Sequence, residues 1–343
     1  MNSTAIGGFR KLCFSTLIAV YFLILVGGIV RSTGSGMGCP DWPKCFGRWT
    51  PPTSAEQLPE NYKEVNSAFR EKKYQKFIKY LRAFGLDATA EKMQHDKSIL
   101  AEDDFNVVKA WIEYVNRLVG VAIGLFIIAL FWKSIRLRKF YPSIFIFSLV
   151  VLIAVIVQGW FGSIVVSTNL TTWTVTVHML LALVMVGLLV YLLRLSEDGR
   201  DYGASAGLKG VLLACIATLL IQIFFGTQVR ESIDRLATLN VIRESWISQL
   251  GISFLVHRSF SLLVLLLHLI LVIKLVKTGE NNPLSLGLIV LLLGTAATGV
   301  GMAWWAVPAV LQPIHLVLAT GALGLQLMLF FRMYVRQQEV LTN

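Results

Sequence analysis

The stretch GISFLVHRSFSLLVLLLHLILVI, residues 251–273, decides what kind of protein this chain is. A helix of about 20 apolar residues crosses the hydrocarbon core of a membrane, and this run is long enough to do so. Its one charged side chain is Arg258, which directly follows His257. Because ionisable residues inside a membrane helix are costly, these two residues mark a candidate functional site.

The composition extends this reading to the whole chain. Of its 343 residues 55% are hydrophobic and 15% are charged, whereas about a quarter are charged in a typical soluble domain. The mean hydropathy is +0.67. The sequence therefore predicts an all-α polytopic membrane protein with eight transmembrane helices. The predicted spans are approximately residues 12–30, 108–131, 142–163, 172–193, 209–228, 251–273, 284–303 and 308–331.

The net charge of +11 does not indicate a nucleic-acid partner. In the short segments between spans, the basic residues concentrate on one side, as in the cluster Lys133–Lys139. By the positive-inside rule, this distribution predicts that both termini are cytoplasmic. The first apolar run has no small-residue cleavage site, so it is predicted to remain as a helix. With no transit peptide in evidence, a bacterial plasma membrane is the expected location.

Two halves of the chain share a pattern. His178 follows Gly162 by 16 residues, and His315 follows Gly299 by the same interval. The outer ends of the first and fifth spans are also alike, since each ends in a Val-Arg pair. We therefore expect two repeated four-helix bundles, residues 1–200 and 201–343, with an extracytoplasmic loop at 31–107.

That loop contains two cysteines and two helical patterns. Cys39 and Cys45 are close enough in sequence to pair in an oxidising compartment, although two free thiols remain the alternative. A zinc site is less favoured because no further Cys or His stands nearby. Apolar residues at helical spacing in 60–84 and 88–100 predict a helical extracytoplasmic cap.

Three histidines and one asparagine recur at a common depth in their spans. At 1.5 Å per residue, each lies roughly 10 Å from the outer end. Histidines on different helices at one depth can hold a metal between them, and a haem between helices suits the scarcity of carboxylates. The residues at this depth are Asn116, His178, His257 and His315, and the arginines available to haem propionates are Arg31, Arg117, Arg230 and Arg258.

The alternative for each histidine is a purely structural residue with satisfied hydrogen bonds. Three histidines at matching depths make that reading less favoured for the set. His268 has no counterpart in the first half, and we expect it to make a helix contact or to line a pore, with a second metal site as the alternative. Glu113 and Arg117 are one helical turn apart and can form an ion pair within the membrane.

These features resemble the haem A synthase family over essentially the whole chain. The most specific motifs are Gly27–Gly47, Glu113–Arg117, Gln158–His178, His257-Arg258 and Gly299–His315. The resemblance implies an enzyme that oxidises the 8-methyl group of haem O to a formyl group by successive hydroxylations. It also implies a haem b bound by His257 and His315, and a substrate haem in the first bundle near Glu113 and His178.

The chain departs from the family pattern at Asn116, where a histidine ligand is usual. An asparagine amide is a poor ligand for haem iron. Our hypothesis is that His178 alone binds the substrate iron and leaves an open face toward Glu113 and Asn116. Those two residues are the candidate catalytic groups.

Two other classes of function remain open. One is a b-type membrane electron carrier, and the other is a haem delivery or assembly factor without substrate chemistry. For the enzyme, the expected partners are haem O synthase, the terminal oxidase assembly machinery and membrane lipid. A quinol is the candidate electron donor, and a homo-oligomer is left open.

Overall fold

The computed structural model describes residues 2–100, 104–197, 204–277 and 283–334. In these ranges eight helices are long and apolar enough to cross a membrane, which confirms the predicted fold class. They are α1 (Asn2–Ser32), α4 (Val107–Ile135), α5 (Pro142–Ser167), α6 (Thr172–Leu195), α7 (Ala206–Thr238), α9 (Ile252–Lys277), α10 (Pro283–Trp304) and α11 (Leu311–Tyr334).

The remaining helices lie in two loops. The loop after α1 holds α2 (Tyr62–Ala83) and α3 (Asp87–Gln94), with 3-10 turns at Ala55–Gln57 and Lys97–Leu100. The loop after α7 holds a 3-10 turn at Arg243–Ser245 and the short α8 (Trp246–Gln249). The two helical stretches expected at 60–84 and 88–100 therefore match α2 and α3, with a 3-10 turn ending the second.

Local chemistry sets several helix ends. Pro142 is the first residue of α5, where its missing N–H costs nothing. Asn169 adopts a left-handed conformation just after α5, as residues beyond a helix C-terminus often do. Ser205 caps α7 by accepting a hydrogen bond of 3.3 Å from the backbone N–H of Leu208.

Helix α7 continues ten residues beyond the end predicted at residue 228. Its last turns are polar enough to leave the membrane but still helical. Arg230 pairs with Asp234 one turn later at 2.6 Å, and Ile233 and Leu236 are buried. Side-chain pairing and burial therefore extend the helix where hydropathy alone predicts a loop.

The described chain divides into two compact units. The first comprises Met1–Gly28, Phe126–Leu152 and Leu183–Asn343, and the second Ile29–Leu125 and Ile153–Ala182, as far as these ranges are described. The boundary predicted at residue 200 lies outside the described residues. The division into two repeated bundles stays a prediction.

In the first unit, four helices of the C-terminal half pack together. Helix α7 contacts α9 and α11, and α10 contacts both α9 and α11. Helix α1 approaches α11 closely, since a Cβ on Gly28 would lie 2.8 Å from Cβ of Pro313. These contacts set the spacing between the helices that carry His257 and His315.

In the second unit, the cap helices pack on the ends of two spans. Tyr74, Phe77, Ile78 and Leu81 form one face of α2, and they share a core with α5 and α6 residues such as Ile164. The ring of Phe77 stacks on Trp173 at 5.8 Å between centroids. The cap is therefore a packed part of this unit.

Candidate functional site

His257 on α9 and His315 on α11 face each other across the first unit. Their ring centroids lie 6.5 Å apart, with an interplanar angle of 65°. Two imidazoles bound to one metal through nitrogens at about 2 Å would place their ring centres roughly 6 Å apart. The spacing therefore fits a single iron between the two rings, as a bis-histidine haem requires.

The α10 backbone fixes the ring of His315. Its Nδ1 lies 3.0 Å from the carbonyl oxygen of Thr295 and 3.0 Å from the hydroxyl of Thr298. A proton on Nδ1 donated to that carbonyl leaves Nε2 with its lone pair free for a metal. Gly299 lies behind the ring, and a Cβ there would be 3.3 Å from Cε1 of His315.

Helix α7 supports His257 in a different way. The side-chain amide of Gln222 donates a 2.9 Å hydrogen bond to the backbone carbonyl of His257. Gly226, one turn later, lies against the ring, where a Cβ would be 3.3 Å from Cε1. The Nδ1 of His257 has no hydrogen-bond partner among the described residues.

The arginines predicted for this half differ in their surroundings. Arg230 donates a short hydrogen bond to the side-chain oxygen of Gln312, which lies one turn before His315 on α11. Arg258 is exposed, and its guanidinium stands 5.7 Å from the ring centre of Phe254. Among the described residues, the side chain of Arg230 bonds to the helix that carries His315, whereas the contact shown for Arg258 is with Phe254 on its own helix.

In the second unit, Glu113 and Arg117 hold the cysteine loop against α4. Glu113 is only 3% exposed, and one carboxylate oxygen accepts a 2.8 Å hydrogen bond from the backbone N–H of Cys39. Its other oxygen pairs closely with Arg117, one turn later. The ion pair predicted from their spacing is therefore present.

Arg117 is also bound by the backbone of the loop. It donates hydrogen bonds of 2.6, 2.8 and 2.7 Å to the carbonyl oxygens of Asp41, Lys44 and Cys39. With the bond to Glu113, four of the five guanidinium N–H donors are directed to protein groups. The role of Arg117 as a propionate partner stays a prediction. The same holds for Arg31, which is half-buried at the end of α1.

Cys39 and Cys45 form a disulfide bond, as expected from the loop. Inside the loop, the Asp41 carboxylate accepts hydrogen bonds from the backbone N–H groups of Phe46 and Gly47, at 2.6 and 2.9 Å. The loop backbone lies directly on α4, since a Cβ on Gly38 would be 2.3 Å from the carbonyl oxygen of Lys109. The disulfide loop is thereby shaped around the Glu113 carboxylate.

His178 on α6 is contacted by α5. Gln158 donates a 3.0 Å hydrogen bond to the backbone carbonyl of His178, and its amide nitrogen lies 3.4 Å from the ring Nε2. A Cβ on Gly162 would be 3.2 Å from Cε1 of the ring. Phe161 lies nearly parallel to the imidazole, with centroids 6.5 Å apart.

Asn116 is half-buried on α4. Its side-chain oxygen is buried, and it has no hydrogen-bond partner among the residues the structure describes. A buried amide oxygen without a donor is costly. Asn116 therefore has an unused acceptor at the position where the family pattern has a histidine ligand.

The sequence reading did not assign roles to the residues that support the histidines. Gln158, Gln222 and Thr295 each stand four residues before the glycine that contacts a histidine ring. That recurring interval was the available signal. His268, expected to make a helix contact, does so: its ring Nε2 lies within close hydrogen-bonding distance of the Gln326 amide on α11.

These features define a multi-pass helical membrane protein with a facing histidine pair and a buried carboxylate beside a disulfide loop. The family model COX15-CtaA, described as "Cytochrome oxidase assembly protein", matches residues 10–327. The chain belongs to this family. Together with its bacterial relatives, the eight apolar helices support a multi-pass plasma-membrane protein.

Curated relatives named "Heme A synthase" resemble the chain at modest identity. The protein from Shewanella oneidensis is 21% identical over 69% of this chain and 62% of its own length. The protein from Bartonella bacilliformis is 26% identical over 63% of the chain and 56% of its own length. The chain thus spans less than two thirds of either relative. The protein from Shouchella clausii is 24% identical over 86% of both chains.

Proposed function

We propose that this protein is a haem A synthase, which oxidises the 8-methyl group of haem O to a formyl group. The single observation that carries the proposal is the facing pair His257 and His315, at a spacing suited to one iron. The relatives named "Heme A synthase" and the buried Glu113 support it. Converting the methyl to a formyl group adds one oxygen atom and removes two hydrogens, a four-electron oxidation.

In this proposal, haem b is the resident cofactor, bound by His257 and His315. It would supply one-electron redox chemistry that carries electrons from a donor, for which a quinol is our candidate, to the reaction at the substrate. Arg230 and Arg258 would serve the propionates. Thr295 and Thr298 hold the His315 ring, and Gln222 holds the His257 backbone.

The substrate haem O would bind in the second unit through His178. Asn116 supplies no strong ligand, so one axial position would stay open for the reaction. Glu113, held by Cys39 and Arg117, is the group we assign to accept protons released from the methyl carbon or to stabilise positive charge there. Arg31 and Arg117 are the proposed propionate partners, with Arg117 also holding the loop.

The proposal places both termini in the cytoplasm and the disulfide loop outside. Haem O synthase would supply the substrate, and the terminal oxidase assembly machinery would receive the product. Membership of a family of cytochrome oxidase assembly proteins supports this placement. A homo-oligomer remains compatible with the proposal.

The experiment is extraction of haems from cells that co-express this chain with a haem O synthase. Separation and mass analysis should reveal haem A or its hydroxylated precursor. Cells that carry His315→Ala should contain haem B and haem O but no haem A and no hydroxylated precursor. If wild-type cells also contain only haem B and haem O, the enzyme is excluded, and an electron carrier or a haem delivery factor takes its place.

A further inference from the structure

We propose that Gln158 with Gly162, and Gln222 with Gly226, are positioning residues that hold His178 and His257 as metal ligands. Each pair lies one turn apart on the helix beside its histidine, α5 for His178 and α7 for His257. The inference rests on the proposed function only in taking haem iron as the metal.

The glutamine of each pair fixes the position, along the helix axis, of the helix that carries the histidine. Gln158 donates to the carbonyl of His178 at 3.0 Å, and Gln222 donates to that of His257 at 2.9 Å. A helical carbonyl has a second lone pair for such a bond. Because this bond is made to the backbone of the histidine itself, it fixes the position from which the imidazole ring extends.

The glycine of each pair makes room for the ring. A Cβ at Gly162 would be 3.2 Å from Cε1 of His178, and a Cβ at Gly226 would be 3.3 Å from Cε1 of His257. Both distances are tighter than ordinary carbon–carbon contacts of about 3.5–4.0 Å. Any larger residue would therefore push the imidazole away from its present position.

Each pair also leaves a matched donor and acceptor. The Oε1 atoms of Gln158 and Gln222, and the Nδ1 atoms of His178 and His257, are buried without partners among the described residues. An imidazole bound to metal through Nε2 carries its proton on Nδ1, which then needs an acceptor. A glutamine Oε1 is such an acceptor, and we infer that Oε1 of Gln222 accepts this proton from His257 directly or through one water. Gln158 differs, because its amide nitrogen lies 3.4 Å from Nε2 of His178, so its part is to hold the His178 backbone.

His315 provides an internal comparison. Thr295 occupies the equivalent place, four residues before Gly299, and its backbone carbonyl already lies 3.0 Å from Nδ1 of His315. All three histidines thus have a glycine at the ring, and a residue one turn earlier that contacts the histidine. The acceptor at Nδ1 is a backbone carbonyl for His315, and the one that we infer for His257 is the side-chain amide of Gln222.

The test uses purified full-length protein with its haem. An acceptor that takes a hydrogen bond from Nδ1 of a metal-bound histidine makes that histidine more basic and favours ferric iron. Gln222→Leu should therefore raise the midpoint potential and lower haem affinity by about 10–100-fold, the usual effect of losing such a partner. Gln222→Glu, with a stronger acceptor, should lower the midpoint potential.

Opposite shifts of potential in these two variants are not expected from a merely structural residue. Gln249→Leu, at an exposed glutamine of α8, is the control and should leave the potential unchanged. Unchanged potentials in both Gln222 variants, or shifts in the same direction, would overturn the proposal. Because spectra and potentials do not require turnover, a wild-type protein that binds haem without converting haem O would refute the proposed function alone.

The glycine is tested separately. Gly226→Ala should displace the His257 ring and convert low-spin haem to a high-spin or haem-depleted form. Gly210→Ala is a matched control on the same helix, because a Cβ at Gly210 has nothing within 4 Å. A low-spin spectrum at full haem content in Gly226→Ala would contradict the role of the glycine.

A different observation carries a second proposal: we infer that α2 lies in the membrane interface and binds anionic lipid. One face of α2 is buried against α5 and α6. A second face exposes large apolar side chains, with Phe84 directly after the helix 80% exposed. The members of this lipid-facing stripe are Val65, Phe69, Lys72, Lys76, Tyr80 and Phe84.

The stripe is continuous with a membrane span. Tyr80 contacts Trp160 on α5, with ring centroids 6.3 Å apart, and Trp160 is itself exposed. Aromatic residues concentrate at the level of the lipid headgroups. Lys72 and Lys76 lie among these rings, where their stems can follow apolar surface while their ammonium groups reach lipid phosphates.

A third face of α2 carries Glu64, Glu71 and Gln75, which are exposed and polar. Its presence provides a control on the same helix. Cysteine is introduced at Phe69 or at Gln75, labelled with bimane, and the full-length protein is reconstituted in nanodiscs that contain brominated lipid. Quenching should be strong at position 69 and weak at position 75.

Charge is tested with the same samples. Removing anionic lipid, or introducing Lys72→Gln with Lys76→Gln, should reduce quenching at position 69. Equal quenching at both positions, or weak quenching at position 69, would overturn the proposal and leave a protein partner as the occupant of this face.

Discussion

The backbone N–H of Cys39 donates a 2.8 Å hydrogen bond to the carboxylate of Glu113, which joins the disulfide loop to the membrane helix α4. The same carboxylate pairs with Arg117, and Arg117 binds three carbonyl groups of that loop. The position of the proposed catalytic carboxylate therefore depends on a loop located more than 60 residues earlier in the sequence.

The first prediction concerns Arg117. Arg117→Met would leave Glu113 and three loop carbonyls without their donor, so it should lower the free energy of unfolding by about 3–5 kcal/mol, the range for breaking a buried ion pair. Thermal unfolding of the purified protein measures the loss. Arg258→Met removes the exposed arginine that stands at the corresponding position in the second half of the chain. It should lower the free energy of unfolding far less. Equal melting temperatures for the two variants would refute the holding role of Arg117.

The second prediction separates Glu113 from Asn116. Asn116→Ala removes a buried oxygen that has no partner among the described residues, so haem A formation in cells should persist. Glu113→Ala should abolish it. Activity that survives the loss of Glu113 but fails without Asn116 would invert the proposed roles.

The third prediction uses Asn116 as a spectroscopic probe. Asn116→His supplies the ligand that the family pattern has at this position. The haem bound through His178 should then become six-coordinate and low-spin, as seen in its optical and electron paramagnetic resonance spectra. Asn116→Gln is the control, because it enlarges the side chain without adding an imidazole. Identical spectra for these two variants would place the iron away from position 116.

The fourth prediction assigns a structural role to His268. Its Nδ1 lies 2.6 Å from the carbonyl of Val264, and its Nε2 contacts Gln326. His268→Leu would leave the Gln326 amide unsatisfied, which should cost about 1–3 kcal/mol. The haem spectrum should not change. A lost or shifted haem band would instead make His268 part of a metal site, and His95→Leu in the cap serves as the control for stability.

The fifth prediction is a pH dependence in the cap. Burial raises the pKa of the Tyr74 phenol from 10.0 to about 12, with a smaller contribution from the charge of Asp96. Between these values the folded state keeps the proton that the unfolded state loses, so stability falls as pH rises. Tyr74→Phe should remove this loss. At neutral pH it should not destabilise the cap, because no residue that the structure describes forms a hydrogen bond with the phenol oxygen.

Melting temperatures measured from pH 9 to pH 12 check that prediction. Tyr80→Phe, at an exposed tyrosine of the same helix, is the control and should melt as the wild type does. A Tyr74→Phe curve that falls as steeply as the wild-type curve would show that the loss comes from other groups.

The fold was predictable because hydropathy and helix length are local properties. The spans containing His257 and Glu113 are apolar for long enough that no other structure suits a membrane. The end of α7 was not predictable by this route, because Arg230–Asp234 pairing and the burial of Leu236 depend on side chains rather than on mean hydropathy.

The residues of the candidate site could be named from the sequence, whereas their contacts could not. The common depth of His257 and His315 indicated that they bind one metal ion between them, and the spacing of their rings agrees with this interpretation. The bonds from Arg117 to Asp41, Lys44 and Cys39 require the three-dimensional path of a glycine-rich loop, which no spacing rule supplies. The same holds for Gln222, whose bond to His257 crosses between two helices.

The most direct test uses purified protein in nanodiscs, supplied with haem O, a quinol as the electron donor and O2. The account predicts conversion of haem O to its hydroxylated form and then to haem A, with a low-spin haem that is lost in His257→Ala. Unchanged haem O beside an intact low-spin haem would contradict the proposed function and leave a membrane haem protein without this chemistry.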